Sequence, residues 1–264
     1  MKILNFLFSR SKQEQDKSIR DKLKTRKDFE RVLAEDLDIM KTTKARMDTA
    51  KNINLYMYRS LSYSYILILQ SKYSVDAKID ELRDIYIKSM HYFLQAFNKR
   101  NPIYADILNY VSLGVLLNIP DNNFRQLIDY VKQMDKQAKP SGWTPDLLLW
   151  FMLNSRMKEQ EKQKYAETLA YPRLYNGLYK VIQAPNAAAA KDALSKYLDR
   201  WYNLNSNAPW YNSHLKDNSY RGYWAWEVAA VAKIMHIDDS DLKNNQYYPY
   251  DMVHWADNET TAKE

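Results

Sequence analysis

Four glycines and eight prolines in 264 residues leave this chain few places to turn sharply. Barrels and sandwiches of short strands need such residues at every corner, so their scarcity points to helices. The apolar pattern agrees. Phe29, Val32, Leu33, Leu37 and Met40 recur every three or four positions, and Ile79, Leu82, Tyr86, Met90, Phe93 and Phe97 do so again. That spacing places each set along one face of a helix. Phe124, Leu127, Ile128 and Val131 line a further amphipathic helix. The stretches Ile53–Gln70, Ile103–Asn118 and Leu147–Leu153 are apolar enough to be buried helices. Four consecutive alanines favour helix in Ala187–Tyr202, which Pro185-Asn186 caps. Asn176-Gly177 sits between helical flanks and is no hairpin turn. The expected fold class is all-α, a two-part helical bundle.

The breaks order these helices. Asp76 reads as an N-cap after a break at Lys72-Tyr73-Ser74, Asn101-Pro102 ends the helix that follows, and Pro120-Asp121-Asn122 stops one helix and caps the next. Thr144-Pro145-Asp146 supplies an N-cap, a proline at the first helical position and an acid in the first turn. Lys139-Pro140-Ser141-Gly142 is the clearest break. It divides the chain into an N-terminal helical domain, 1–139, and a C-terminal one, 140–264.

Catalytic patterns do not emerge. There is no cysteine, which removes disulfides, thiolate metal sites and cysteine nucleophiles. The G-x-S-x-G, G-x-x-x-x-G-K-[ST], G-x-G-x-x-G and H-E-x-x-H motifs are missing. His91, His214, His236 and His254 stand far apart, and no carboxylate pair is singled out by spacing. The expectation is a protein that is not an enzyme, with no catalytic, cofactor-binding or metal-binding residue and no cofactor. The opening MKILNFLFSRSK lacks the apolar run and small-residue site of a secretory signal. Ile107–Ile119 is too short to span a bilayer. A cytoplasmic protein without a membrane partner is therefore expected.

Charge is uneven. The net +7 divides into +8 for residues 1–100, +3 for 101–200 and −4 for 201–264. The basic first hundred residues raise the alternative of a helical nucleic-acid-binding protein. Their cations are interleaved with acids, as in DKLKTRKDFERVLAED, which suits a solvated helix face better than a phosphate track. The 22 tyrosines and 7 tryptophans mostly suit core and boundary positions, leaving some for a partner.

The stretch Ser219–Trp255 is the most distinctive. Tyr220, Tyr223, Trp224, Glu227, Val231, Ile234 and Met235 fall at helical spacing, with Glu227 on the apolar face. A carboxylate there needs a hydrogen-bond partner, so Glu227 is expected to bind a tyrosine hydroxyl, a tryptophan N–H or a basic side chain and lock two helices together. Ala225, Ala229, Ala230 and Ala232 allow a neighbouring helix to come close, and Gly222 allows close backbone approach. After His236-Ile237, Asp238 or Asp239 can cap a short helix. The alternative role of this turn is an acidic patch for a basic partner. Asp238, Asp239 and Asp241 are its candidate residues, joined by Asp217 and Asp251 and extended by Asp257 and Glu259.

The order Trp201-Tyr202, Tyr220-x-Gly222-Tyr223-Trp224-Ala225-x-Glu227-x-Ala229-Ala230, Ile237-Asp238-Asp239-Ser240-x-Leu242, Tyr248-Pro249-x-Asp251 resembles the C-terminal domain of the PoNi family. These are immunity proteins of polymorphic nuclease effectors. Tyr73-Ser74 and Tyr110-x-Ser112-Leu113-Gly114-x-Leu116-Leu117 are similar to the family's N-terminal domain, although Val75-Asp76 follows where the family tends to a small residue and glycine. The resemblance covers about residues 26–256. It implies a two-part, all-helical, non-enzymatic cytoplasmic protein. Such a protein binds a cognate DNase toxin of a restriction-endonuclease-like kind, of the sort delivered in interbacterial competition by type VI secretion, and protects the producer cell. A DNase cleft is basic because it holds phosphate, so an acidic inhibitor surface competes with DNA.

Overall fold

The structure, a computed structural model, describes residues 19–96, 103–136, 143–216 and 218–255. The protein is all-α. Ten α-helices occur among the described residues: α1 (Arg26–Thr49), α2 (Leu55–Ser74), α3 (Ile79–Ala96), α4 (Tyr104–Leu116), α5 (Asp121–Lys136), α6 (Leu147–Asn154), α7 (Pro172–Ile182), α8 (Ala187–Leu204), α9 (Trp226–Met235) and α10 (Tyr250–His254). Extended pairing among these residues is limited to one isolated bridge between Asp146 and Thr168. No helix of the described residues is long and apolar enough to cross a membrane.

The chain forms two compact units. One comprises 1–96 and 212–222, the other 97–211 and 223–264. This partition differs from a cut at 139/140; the Lys139–Gly142 break itself lies outside the described residues, as do Asn101-Pro102 and Phe97.

In the first unit α1 packs on α2, and α2 on α3. A capping box starts α1: the Thr25 hydroxyl accepts from the Asp28 N–H, and the Asp28 carboxylate accepts from the Thr25 N–H. Phe29 and Val32 are buried as their spacing predicts, whereas Leu33, Leu37 and Met40 are only half-buried. Ile79, Leu82, Tyr86, Met90 and Phe93 of α3 are all buried. Helix α2 includes Lys72-Tyr73-Ser74 and ends at Ser74, so the expected break falls directly after these residues. Asp76 does not cap α3, which begins three residues later. It has φ 76, the left-handed backbone that favours glycine, and its carboxylate meets Arg20 at 3.0 Å.

In the second unit α4 is the central helix, buried along most of its length and packed against α6 and α9. Asp146, not Thr144, is the N-cap of α6. Its buried carboxylate accepts from the Leu149 N–H at 2.7 Å, the Ala170 N–H at 2.7 Å and the Tyr104 hydroxyl at 2.9 Å. A helix start, a loop and α4 thus share one oxygen pair. Asp135 does the same near the end of α5, accepting from the indoles of Trp143 and Trp150 and from the Tyr165 hydroxyl. Helices α7 and α8 form a hairpin around Gly177, where the Tyr197 ring lies so close that a Cβ would stand 2.7 Å from its Cδ2.

Candidate partner-binding face

The stretch Ser219–Trp255 is shared between the units, and only its second part is helical. Residues 219–225 are not in the helix that their spacing suggests; α9 begins at Trp226. The reason is partly tertiary and partly local. Tyr220 and Arg221 are committed to the first unit, and Gly222 adopts φ 108, which a side chain would strain.

In the first unit, one edge of the Arg221 guanidinium donates twice to Asp36, Nε to Oδ2 at 2.6 Å and Nη2 to Oδ1 at 2.8 Å, with both residues buried. The Tyr220 hydroxyl donates to Asp21, and the Ser74 hydroxyl donates to the Arg221 carbonyl at 2.8 Å. Burial pushes the Asp21 carboxyl above its usual value, opposed by the Tyr220 bond. Sequence reading missed the Arg221–Asp36 pair. Nothing in the spacing relates residues 185 positions apart.

In the second unit, Glu227 stands in the first turn of α9 and accepts from the Trp201 indole N–H of α8 at 2.6 Å. It locks two helices, by the tryptophan among the partners expected. Burial pushes its carboxyl above the ordinary range, with the Trp201 bond acting against that. Tyr175 and Tyr197 are raised too, first by burial and then by the charge of Glu227. Ala229, Ala230 and Ala232 are buried where α9 packs on α4. Lys233 Nζ and Trp255 Nε1 both donate to the Leu116 carbonyl at the end of α4, at 3.2 and 2.8 Å. His236 ends α9 in the left-handed region at φ 51.

The acidic turn follows, and its members part company. Asp238 and Asp241 are exposed and converge on Lys191 of α8, at 2.7 and 2.9 Å. Asp238 also accepts from the Ser240 N–H, starting the short 3-10 turn Ser240–Leu242. Hydrogen bonds from Lys191 and Ser240 hold its carboxyl below the usual range, and bonds to Asp238 and Asp241 raise the Lys191 ammonium. Asp239 is only 3% exposed; it accepts from the Tyr248 hydroxyl at 2.6 Å and lies 2.8 Å from His254 Nε2. Its side chain is turned inward, where it ties the turn to Tyr248 and His254. Asp251 is exposed in the first turn of α10. Asp217, Asp257 and Glu259 lie outside the described residues.

In the same unit six aromatic rings touch: Trp201, Tyr202, Trp210, Tyr211, Tyr223 and Tyr247, with centroids 4.5 to 6.4 Å apart. Trp201 and Tyr223 are buried, and the other four are half-buried. The four histidines are scattered, and no group of three His, Asp or Glu suited to a metal ion occurs among the described residues.

This all-α arrangement has a relative among solved structures. The crystal structure of protein PA2201 from Pseudomonas aeruginosa matches with a TM-score of 0.69 at 18% identity over 92% of each chain, a likeness of fold. No curated protein matches the sequence. Two family profiles do: PoNe immunity protein (PoNi), N-terminal, over residues 8–129, and PoNe immunity proteins (PoNi), C-terminal, over 144–252. The chain belongs to the PoNi family of PoNe immunity proteins.

Proposed function

We propose that this protein binds a cognate secreted DNase toxin in the cytoplasm and blocks its nuclease domain, protecting the cell that makes the toxin. The observation that carries this reading is the match to both immunity profiles, one over each half of the chain. The profiles stop at 129 and resume at 144, which supports 1–139 and 140–264 as sequence domains, while the spatial units divide the chain at other points. The protein acts by occupancy and not by catalysis, and delivery of the toxin by type VI secretion belongs to the same reading.

For the contact, Asp238, Asp241 and Asp251 remain the acidic candidates, with Asp217 as a further one. Asp238 and Asp241 are exposed on one side of Lys191 and carry two negative charges against one positive. That residual charge attracts a phosphate-binding cleft. Co-expression with the toxin encoded beside this chain, followed by co-purification and a DNase assay, tests the reading. A stable complex with the nuclease silenced is expected; free, active nuclease in the presence of this protein sinks it. The rival reading, a helical nucleic-acid binder acting through residues 1–100, rests on their net charge of +8. It requires salt-sensitive retention of the isolated protein on DNA or RNA.

A further inference from the structure

The end of the α1–α2 hairpin is built unlike the rest of the first unit. From Leu37 to Ser60 no side chain is buried, across the last half of α1, the connection Ala50–Asn54 and the start of α2. The neighbouring stretches do have cores: Phe29, Val32 and Asp36 are buried before it, and Leu61 immediately after. Helices in proteins owe most of their stability to a packed apolar face, and over this stretch that face is at most half-buried.

Polarity does not explain the exposure. Residues 37–60 include Ile39, Met40, Met47, Ile53, Leu55, Tyr56, Met57 and Tyr58. Tyr56 is 77% exposed, Leu55 54%, Ile39 51% and Ile53 45%, and Tyr63, two turns beyond Tyr56, is 64% exposed. These are five of the nine exposed large hydrophobic residues of the described chain. Antiparallel helices joined by a short loop bring them to one end of the hairpin. Methionine supplies an adaptable apolar surface, and tyrosine is a preferred anchor at interfaces.

The charge around them is predominantly positive. The same residues carry Lys41, Lys44, Arg46, Lys51 and Arg59 against Asp38 and Asp48. Lys41, Lys44, Arg46 and Lys51 make no ion pair among the described residues. A surface of this kind repels a second copy of itself, which argues against self-association here. Most of its apolar residues are aliphatic and offer no ring to stack on a base, which argues against single-stranded nucleic acid. What fits is a protein surface that is acidic at its rim and apolar at its centre.

We propose that the hairpin end, residues 37–63, is a second docking surface, and that its occupant is an acidic, apolar-centred surface of the nuclease partner. The inference rests on the immunity reading and deepens it. The hairpin end lies on the first unit and is cationic and apolar, unlike the acidic Asp238–Asp241 turn of the second. Net charge of the whole chain is therefore a poor guide to how the toxin is recognised.

The test uses the full-length chain and the nuclease domain of the toxin encoded beside it, titrated calorimetrically at two salt concentrations. Two variants are made, K41E/K44E/K51E and L55S/Y56A, and each is checked by circular dichroism and thermal melting. Because the substituted side chains are exposed, unchanged melting is expected. Each variant should bind roughly tenfold or more weakly, the first also losing part of its salt dependence. If wild type binds and both variants bind equally well, the inference falls while the immunity reading stands. If wild type does not bind, the immunity reading fails and takes the inference with it. Duplex DNA and vesicles of phosphatidylserine and phosphatidylcholine complete the test. Variants that lose affinity for either, yet keep it for the toxin, also overturn the proposal.

Discussion

Glu227 and Arg221 are neighbours in the sequence motif, yet they sit in different units and pose opposite electrostatic problems. Glu227 has one tryptophan N–H for company and no cation within ion-pair distance among the described residues. Its folded-state pKa lies above its unfolded one, so the folded form favours the protonated acid. The resulting cost of ionisation is absent below the unfolded value, about 4.3, grows as pH rises through the folded value, and is complete above it. Glu227→Gln keeps an oxygen for the Trp201 N–H. It should leave the protein as stable as wild type near pH 4 and more stable near pH 8, read as a Tm difference that widens with pH. A difference that shrinks with rising pH contradicts the sign. Arg221 has its counter-charge, and both partners are buried. Arg221→Ala leaves Asp36 alone in the interior and should cost about 3–5 kcal/mol in denaturant unfolding. A loss below about 1 kcal/mol shows that Asp36 finds water or another donor.

Helices carry a second kind of information, their distance from one another. Glycine inside a helix usually costs about 1 kcal/mol relative to alanine, so replacing it stabilises. Gly177 of α7 should behave in the opposite way. An alanine methyl would meet the Tyr197 ring at 2.7 Å, and that ring cannot swing aside, being buried with its hydroxyl donating to the Leu174 carbonyl at 3.0 Å. Gly177→Ala is expected to destabilise by about 1–3 kcal/mol, measured as a lower denaturant midpoint. A gain in stability would show that α7 and α8 separate freely. The helix boundaries follow similar local chemistry. Asn186 caps α8 by accepting from the Ala189 N–H, a start legible from Pro185-Asn186. The start of α6 shifts to Asp146 because its carboxylate, unlike the Thr144 side chain, also reaches Tyr104 and the 170 backbone.

For the whole molecule, charge is distributed rather than uniform, from +8 in the first hundred residues to −4 after residue 200. If the acidic turn steers the toxin, Asp238→Lys with Asp241→Lys should slow association by about tenfold at low salt, and the effect should fade as salt rises. Lys191→Ala separates steering from scaffolding. Without its ammonium the two carboxylates are bare, so association should hold or quicken. Slower association in Lys191→Ala would mean that the ion pairs matter by holding the turn in shape. Stopped-flow mixing with the toxin measures both variants against wild type.

The fold class and most of the core were legible in the residues themselves. Few glycines, three-and-four spacing and local caps act within one or two turns of chain, and such effects do not need distant partners. Even so, the helix expected from Tyr220 begins at Trp226, because the residues before it bind the first unit. Long-range choices were not legible. Asp238, Asp239 and Asp241 read alike as exposed acids, but packing buries Asp239 on Tyr248 and His254 and gives the other two a lysine from α8. Likewise the apolar residues of 37–60 look like ordinary core in a periodic pattern. Whether a periodic face is buried depends on what the chain folds against it, and here no side chain of that stretch is more than half-buried. The sequence determined the helices and the family; tertiary structure decided which acids and which apolar faces are left for a partner, because burial belongs to the assembled fold and not to any segment.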